Sequence, residues 1–379
     1  MKAVFSKADF VNLIGKMQGI VAPKPTLPIL GNILVQAIDD QLIVSATDLT
    51  NSMTCSMEAK VIEEGAITLP ARRLFQLVRE LASAQVKIAV DAGEIAEITA
   101  GSSVFKINGM GRAEFPATPD LAGAAEFQVS ALKLKEVLSK TSFSAARDDS
   151  RYMLNGLQLK MADGKATFTS TDGKRLAKAS TAINGDSSIQ GSYVLPIKAV
   201  EEMIKILPDD EANVNLTLAS DKIALESGSV TLISKLLSGQ YPDVERVIPA
   251  TLKTQFSVHR EELMGLLRQV SLFTSEESSS VRFTFESGQL HLSAMSSQIG
   301  EGRVSMPVDY DGARFEIAFN PFLLIDILRH TKDETLKVAL NDSHAPGLFT
   351  DASNALFVLM PMRLSEAPAA SARETASVS

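Results

Sequence analysis

The sequence repeats a unit of roughly sixty residues six times, and this repeat constrains the fold more than any local motif. Each copy begins with a short β-like run, continues into an amphipathic helix and then gives several strands. When one apolar position per opening is taken as equivalent, successive copies are 64, 60, 66, 63 and 61 residues apart. The equivalent positions are Phe5, Leu69, Val129, Leu195, Val258 and Phe319. A period this regular indicates a chain built from copies of one structural unit.

The spacing of apolar residues predicts one amphipathic helix in each copy. In the second copy, Leu74 and Val78 belong to an apolar stripe with helical period, whereas Arg72 and Arg79 fall nearly opposite it. The apolar side of such a helix faces a sheet and the basic side faces away. The six predicted helices cover residues 7–20, 71–83, 131–147, 197–207, 260–273 and 320–332.

Alternating apolar and polar runs, separated by short turns, predict antiparallel strands between these helices. Two copies supply one domain, so we expect an α+β protein of three similar domains, each made of two β-α-β-β-β half-repeats. The register agrees with this pairing, because Asp48 and Asp172 both follow a threonine and both lie 43 residues after their opening positions.

Proline-bearing stretches mark the expected domain boundaries. The segments Phe115–Pro119 and Tyr241–Pro249 divide the chain into domains of residues 1–120, 121–248 and 249–364. Residues 365–379 are rich in Ala, Ser and Glu without periodicity, and we expect them to be a disordered tail.

The distribution of charge is uneven. The predicted helices carry net charges of +1, +2, +3, 0, 0 and +1, which total +7, and since the chain has a net charge of −8 the remainder carries −15. A net negative charge alone argues against a nucleic-acid partner, but basic residues concentrated on one class of element can still form a positive surface.

Other sequence features predict a cytoplasmic protein without catalytic or metal chemistry. The single cysteine, Cys55, fits a reducing compartment and is interpreted as a buried structural thiol. No apolar run has the length needed to cross a bilayer, and charges interrupt the N-terminus where a signal peptide would need an apolar core. The four histidines are scattered without metal-ligand spacing, and no paired carboxylates or phosphate-binding loop are found, so we expect no enzyme activity, no metal and no cofactor. The histidines are His259, His291, His330 and His344.

Five short segments are informative when taken together, in order and spacing: Pro25–Asn32, Leu69–Arg73, Arg151–Gly156, Thr171–Ala177 and Val358–Leu364. With them, residues 1–364 resemble the bacterial DNA polymerase III beta subunits, the sliding clamps. The resemblance implies a head-to-tail homodimer that forms a closed ring, with helices lining the hole and sheets on the outer rim. A positive lining attracts phosphate without reading base edges, so such a ring moves along duplex DNA while it stays topologically linked.

The resemblance also implies which residues approach DNA. They are the basic residues of the helices, a basic loop residue and a protruding loop that carries an aromatic side chain: Lys24, Arg72, Arg73, Arg79, Lys133, Lys140, Arg147, Tyr152, Met153 and Lys198, with Lys7, Lys16, Lys205, Arg268 and Arg329 as further candidates. For any one of them, a solvated helix face or, for Tyr152, packing at a strand edge is the competing interpretation.

Family members bind their polymerase and clamp loader through short peptides that enter a groove between the second and third domains. Carried over by position, the groove is a set of apolar side chains with a few polar anchors, as peptide hot spots are. Its residues here are Leu154, Thr171, Gly173, Arg175, Leu176, Pro242, Val247, Asn320, Leu323, Val358, Met360, Pro361, Met362 and Arg363. The chain departs from the family pattern at Lys174, Ser278, His344 and Pro346, which predicts a shifted peptide preference. For the last strand, an ordinary edge strand is the alternative.

For the dimer, the resemblance points to Phe105 and Ile107 on a strand of the first domain, meeting Leu272 and Phe273 of the third domain of the other subunit. The alternative is that all four side chains belong to internal cores. Two other readings of the whole chain stay open at this stage: a peptide-binding adaptor that does not encircle DNA, and an unrecognised enzyme or structural repeat protein. The expected partners of a clamp are duplex DNA, the replicative polymerase catalytic subunit, a clamp-loader ATPase, other proteins that carry a clamp-binding motif, and no membrane.

Overall fold

The protein is described from a computed structural model, which covers residues 1–91, 93–185, 190–275 and 278–363. These residues form two compact units: the first contains residues 1–172 and 177–242, and the second contains residues 173–176 and those from 243 onward. The predicted tail, residues 365–379, and Leu364 lie outside the described residues.

The six predicted helices are present, one in each copy of the repeat. They are α1 (Lys7–Met17), α2 (Ala71–Glu80), α3 (Ala131–Ser142), α4 (Ile197–Ile206), α5 (Arg260–Val270) and α6 (Pro321–Arg329). Each ends one to five residues earlier than predicted, and apolar residues such as Ile20, Leu81 and Leu207 remain buried beyond the end of their helix. After α2, for example, Leu81 is buried but has extended backbone angles.

Local chemistry explains where the helices begin. The side chains of Ser6, Ser130 and Asn320 accept backbone N–H groups of the first turn of α1, α3 and α6. In α5 the cap is a histidine: Nδ1 of His259 accepts the N–H of Glu262 at 3.3 Å. Pro321 occupies the first turn of α6, where its missing N–H would have no helical partner.

The strands of the first unit come from four half-repeats. The first two contain β1 (Lys2–Ser6), β2 (Asn32–Ile38), β3 (Gln41–Thr47), β4 (Asn51–Glu58), β5 (Lys60–Glu63), β6 (Gly65–Pro70), β7 (Gln85–Val90), β8 (Ile95–Ala100) and β9 (Ser103–Asn108). The next two contain β10 (Ala125–Ser130), β11 (Gly156–Ala162), β12 (Lys165–Thr171), β13 (Arg175–Ala182), β14 (Asn184–Gly185), β15 (Gly191–Pro196), β16 (Asn213–Leu218), β17 (Lys222–Ser227) and β18 (Val230–Lys235). The first two residues of β13 belong to the second unit.

The second unit contains the last two half-repeats. Its strands are β19 (Thr254–His259), β20 (Val281–Glu286), β21 (Gln289–Ser296), β22 (Gly300–Pro307), β23 (Phe315–Phe319), β24 (Thr335–Leu340), β25 (Gly347–Thr350) and β26 (Leu356–Leu359). Apart from the short strands β5 and β14, the whole order is six successive β-α-β-β-β units, as the period predicts.

The opening strand of each half-repeat pairs with a strand of the other half of its domain. Thus β1 pairs with β7 and β6 with β2, and the same exchange joins β10 with β16, β15 with β11, β19 with β24 and β23 with β20. In the described residues, these six strand pairs are all antiparallel. The exchange makes the two halves of a domain interdependent, which is why one repeat alone is not a folding unit.

The sheets follow from these pairings. The first unit has one sheet in the order β5-β1-β7-β8-β9 and another in the order β14-β10-β16-β17-β18-β4-β3-β2-β6, in which β18 pairs with β4. Strands β15, β11, β12 and β13 are also neighbours in that order. In the second unit, β22-β21-β20-β23 form a sheet and β26, β25, β24 and β19 are neighbours. The two helices of each domain pack against each other, and their apolar faces lie on these sheets. No helix in the described ranges is both long enough and apolar enough to cross a membrane.

Candidate functional site

Helix α2 carries the most clearly separated basic face. Leu74 and Val78 are fully buried, whereas Arg72, Arg73 and Arg79 are exposed. The guanidinium of Arg79 lies over the ring of Phe75, with 5.5 Å from its carbon to the ring centroid. The contact with the aromatic ring positions the guanidinium of Arg79. Three arginine charges therefore lie on the solvent side of α2.

Helix α3 fits the predicted basic face only in part. Lys133 is exposed, but Lys140 is 5% exposed and its Nζ lies 2.5 Å from Oε1 of Glu136, one turn earlier. The buried ammonium of Lys140 is therefore already neutralised and cannot reach a phosphate in this arrangement. Arg147 lies beyond the end of α3, is exposed, and pairs with Glu201 at 2.7 Å. With the observed helix ends, the six helices carry a net charge of +5 rather than the predicted +7, because Arg147 and Lys332 fall outside them.

Lys198, at the start of α4, is held by an aspartate of the first domain. Its Nζ lies 2.6 Å from Oδ2 of Asp48, in the turn between β3 and β4. Asp48 also accepts the backbone N–H groups of Thr50 and Asn51, at 3.0 and 2.6 Å. Burial alone would raise the pKa of Asp48, but the hydrogen bonds from Lys198 and Asn51 outweigh it and hold that pKa below its ordinary value. Lys198 thus forms an internal ion pair while 44% of its side chain stays exposed, so it also remains a candidate for DNA contact.

Two loops carry the remaining DNA candidates. Lys24 is exposed in the segment after α1, and Tyr152 is 56% exposed. Two hydrogen bonds close the loop that carries Tyr152. The side-chain oxygen of Asn155 accepts the backbone N–H of Asp149 at 2.9 Å, and its side-chain nitrogen donates to the backbone carbonyl of Asp149 at 3.0 Å. Met153 is half-buried against Gly239, whose backbone has a positive φ of 137° and where an added Cβ would lie 3.0 Å from the sulfur.

Most of the predicted groove residues lie in the second unit, on three segments. These segments are residues 173–176 at the start of β13, the beginning of α6, and the end of the described chain from Val358 in β26 to Arg363; Val247 lies apart from them. Met360 donates its N–H to the carbonyl of Lys174 at 2.9 Å, and Met362 donates to Ala318 at 2.7 Å. Pro361, which has no N–H, stands between them at a position where no donor is used. Backbone hydrogen bonds therefore bring the chain after β26 beside the turn before β13 and beside the end of β23, which leads into α6.

Exposure divides these residues into a buried floor and an accessible rim. Val358 and Leu176 are 1% and 2% exposed, so they support the surface rather than form it. Val247 and Met360 are 42% and 40% exposed, and Gly173 and Arg363 are also exposed. The partly exposed members are Arg175, Asn320, Leu323, Pro361 and Met362. Gly173 has a φ of 86°, which makes the turn into β13 possible and favours glycine there.

The other predicted groove residues lie in the first unit. Leu154 and Thr171 are 2% and 9% exposed, and Pro242 is exposed. Of the four departures from the family pattern, Lys174, Ser278 and His344 are exposed and Pro346 is half-buried.

The four residues predicted for the dimer contact are not core residues. Strand β9 is the edge of its sheet, with Phe105 39% exposed and Ile107 half-buried. Leu272 is 71% exposed, the largest exposed fraction among the large apolar side chains described. Phe273 is half-buried and packs over Gly302 of β22, where an added Cβ would meet its ring at 2.5 Å.

Two residues of α6 were missed by sequence reasoning. Phe322 is 51% exposed and lies two residues after the Asn320 cap. Asp326 contacts Arg175, with 2.8 Å between Oδ2 and Nη1. An aromatic residue off the apolar stripe was a usable signal for Phe322. For Asp326 no signal existed, because its partner is 151 residues away in the sequence.

The sequence matches three family models in succession along the chain. They are the DNA polymerase III beta subunit N-terminal domain at residues 1–119, the central domain at residues 128–243 and the C-terminal domain at residues 245–363. The chain belongs to the DNA polymerase III beta subunit family. Its members are sliding clamps, and the resemblance, the fold class and the DNA sliding-clamp function inferred from the sequence are thereby confirmed.

Individual clamps are similar to this chain over nearly their whole length. The beta sliding clamp of Chlamydia muridarum is 46% identical over 364 residues, which cover 96% of this chain and 99% of that protein. The beta sliding clamp of Escherichia coli K12 is 30% identical over 368 residues, covering 96% and 100%. A crystal structure of the Pseudomonas aeruginosa clamp bound to griselimycin superposes with a TM-score of 0.92 at 28% identity, covering 96% of this chain and 100% of that one.

Proposed function

We propose that two copies of this chain join head to tail into a ring that encircles duplex DNA, and that the ring tethers the replicative polymerase without catalysing a reaction itself. The observation that carries the proposal is the segregation of charge: the six helices together carry +5, all of it on α1, α2 and α3, in a chain whose net charge is −8. Positive helices attract the phosphate backbone, and contacts to phosphate carry no sequence preference, so the ring slides. The acidic remainder disfavours binding of DNA to the outside of the ring.

Within this proposal, the exposed arginines of α2 together with Lys24, Lys133, Arg147 and Tyr152 face the duplex, and Lys198 contributes in part. Lys140 is withdrawn from this set because it is buried against Glu136. The proposed domains keep the boundaries 1–120, 121–248 and 249–364. The protein acts in the cytoplasm with no cofactor and no membrane partner.

For the dimer, two exposed sheet edges support the proposed contact. Strand β9 leaves Phe105 beside unpaired edge groups in the first unit, and Leu272 and Phe273 lie next to the edge strand β22 in the second. Edges of this kind pair with another chain unless they are covered. Head-to-tail pairing of one subunit's β9 side with its partner's β22 side would cover both edges in both copies.

For polymerase and loader binding, the accessible rim formed by Val247, Leu323, Met360 and their neighbours supports a short peptide site. Methionine side chains adapt their shape to several ligands, which suits a site shared by competing partners. Because clamps of Pseudomonas aeruginosa and Bartonella birtlesii were crystallised with griselimycin, we expect this chain to bind griselimycin also.

The deciding experiment loads the protein onto a nicked circular plasmid with its clamp loader and ATP, isolates the complex by gel filtration in moderate salt, and linearises half of it. A sliding ring stays on the circle and runs off the linear DNA. Retention on both forms would indicate ordinary electrostatic or sequence-specific binding, and retention on neither with an active loader would favour an adaptor that does not encircle DNA.

A further inference from the structure

The contact between Arg175 and Asp326 joins two segments of the candidate groove. Arg175 is the first residue of β13, and Asp326 lies on α6 one turn after Leu323. Nη1 of Arg175 donates to Oδ2 of Asp326 at 2.8 Å, and the side chain of Arg175 is only 10% exposed. A guanidinium this deeply buried needs a nearby negative charge, because it cannot be deprotonated to relieve the cost of burial.

The carboxylate of Asp326 supplies this negative charge and has a second arginine nearby. Its other carboxylate oxygen, Oδ1, lies 3.6 Å from Nη1 of Arg329 on the next turn of α6. This second contact is too long for a hydrogen bond, so the hydrogen bond from Arg175 is the stronger of the two interactions of Asp326.

The position of Asp326 on α6 connects this pair to the peptide rim. Asn320, Leu323 and Asp326 follow one another at intervals of three residues and are all partly exposed, so they form one half-exposed strip along the helix. The strip begins at the helix cap, passes Leu323 and ends where Arg175 is held. Any peptide that lies along the strip passes the pair formed by Arg175 and Asp326.

We propose that Asp326 is a positioning residue of the partner groove: it neutralises Arg175 and fixes its position, so that this part of the groove is ordered before the peptide binds. This inference rests on the proposed function, because it takes the groove as the place where partners bind. Preorganisation matters because ordering a flexible side chain on binding would otherwise weaken the affinity.

The test measures binding of the purified replicative polymerase catalytic subunit of the same organism to the immobilised full-length clamp. Four variants are compared: Asp326→Asn, Arg175→Ala, the double variant, and the matched control Asp309→Asn, which changes an exposed aspartate of the same unit in the same way. Asp326→Asn keeps the shape of the side chain and removes its charge. Thermal denaturation and sedimentation of each variant verify that the protein is folded and assembled as the wild type is.

We expect Asp326→Asn and Arg175→Ala each to weaken polymerase binding by about tenfold, since loss of either partner loosens the contact between β13 and α6, and ordering a flexible groove on binding costs affinity. Asp326→Asn should have no further effect once Arg175 is alanine, and Asp309→Asn should bind as the wild type does. A purely structural role of Asp326 would lower thermal stability and leave polymerase binding unchanged.

The outcomes that overturn the inference are distinct from those that overturn the groove. If Arg175→Ala weakens binding but Asp326→Asn does not, only the positioning role fails. The same holds if Asp326→Asn weakens binding equally with and without Arg175. If Arg175→Ala itself leaves polymerase binding unchanged, the groove assignment fails and the positioning role fails with it.

Discussion

The ion pair between Asp48 and Lys198 gives a prediction that separates a structural role from a DNA-binding one. Asp48→Asn keeps the size of the side chain but removes the charge that Lys198 contacts at 2.6 Å. A charge-assisted hydrogen bond contributes about 1.5–3 kcal/mol. Because the Lys198 side chain is 44% exposed, solvent screening lowers the expected loss of unfolding free energy to about 1–2 kcal/mol.

Differential scanning calorimetry measures this loss. For a unit of the size of the first one, about 1–2 kcal/mol corresponds to a decrease in Tm of about 2–8 °C. Lys198→Ala should lower Tm similarly, and the double variant should lower it by less than the sum of the two single changes, because both remove the same interaction. Asp163→Asn, at an exposed hairpin turn, is the matched control and should leave Tm unchanged.

The pH dependence follows from the lowered pKa of Asp48. A carboxylate whose folded pKa lies below its ordinary value stabilises the fold fully above the unfolded pKa and loses this contribution only as the pH falls through the folded pKa. The Tm difference between wild type and Asp48→Asn should therefore stay constant between about pH 7 and pH 5, since the unfolded pKa is about 3.9. A difference that vanished within this range, or additive effects of the two single variants, would refute the ion pair as the cause.

The remaining predictions concern the dimer, the DNA contact and the thiol. Leu272→Ala combined with Phe273→Ala should give folded monomers in sedimentation velocity, because it removes the exposed apolar contact; a dimer would show the interface assignment to be wrong. Arg72→Ala combined with Arg73→Ala should reduce the slope of log K against log salt for duplex binding by about 2, measured by fluorescence anisotropy, if each side chain neutralises one phosphate; an unchanged slope would remove α2 from the DNA site. Cys55 is buried, and burial raises the pKa of its thiol to about 11, so a thiol reagent at pH 8 should modify it only in denaturant; rapid modification of the native protein would contradict this.

The sequence was sufficient to predict the architecture because the same physical pattern occurs six times. Apolar stripes with helical period and alternating runs specified each β-α-β-β-β unit, and Cys55 was correctly interpreted as a buried thiol. The ends of the helices were less predictable, because a residue such as Leu81 stays buried after the helical turn has ended. The spacing of apolar residues predicts which face of a helix is buried, but it does not predict the residue at which the helix ends.

Individual side chains of the sites were harder to predict than their elements. Lys140 sits on a helix rich in basic residues, yet it turns inward to Glu136, because a long aliphatic stem can be buried when its ammonium has a partner. Asp326 escaped notice for the opposite reason, since its importance depends on Arg175, which is distant in sequence. Sequence spacing constrains neighbours on one helix and says little about ion pairs between segments.

The repeat also explains how equivalent positions acquire different roles. Lys198 and Phe322 each lie three residues after the opening position of their repeats, and Asp48 and Asp172 each lie 43 residues after theirs. The lysine copy forms an ion pair with Asp48, whereas Phe322 has no charge to offer and is 51% exposed. An internal ion pair at one copy therefore stabilises the fold, while the apolar replacement at the other leaves an aromatic side chain available to a partner. Because the β-α-β-β-β pattern is the same in both copies, the different surroundings of Lys198 and Phe322 follow from their side chains and not from a change of secondary structure.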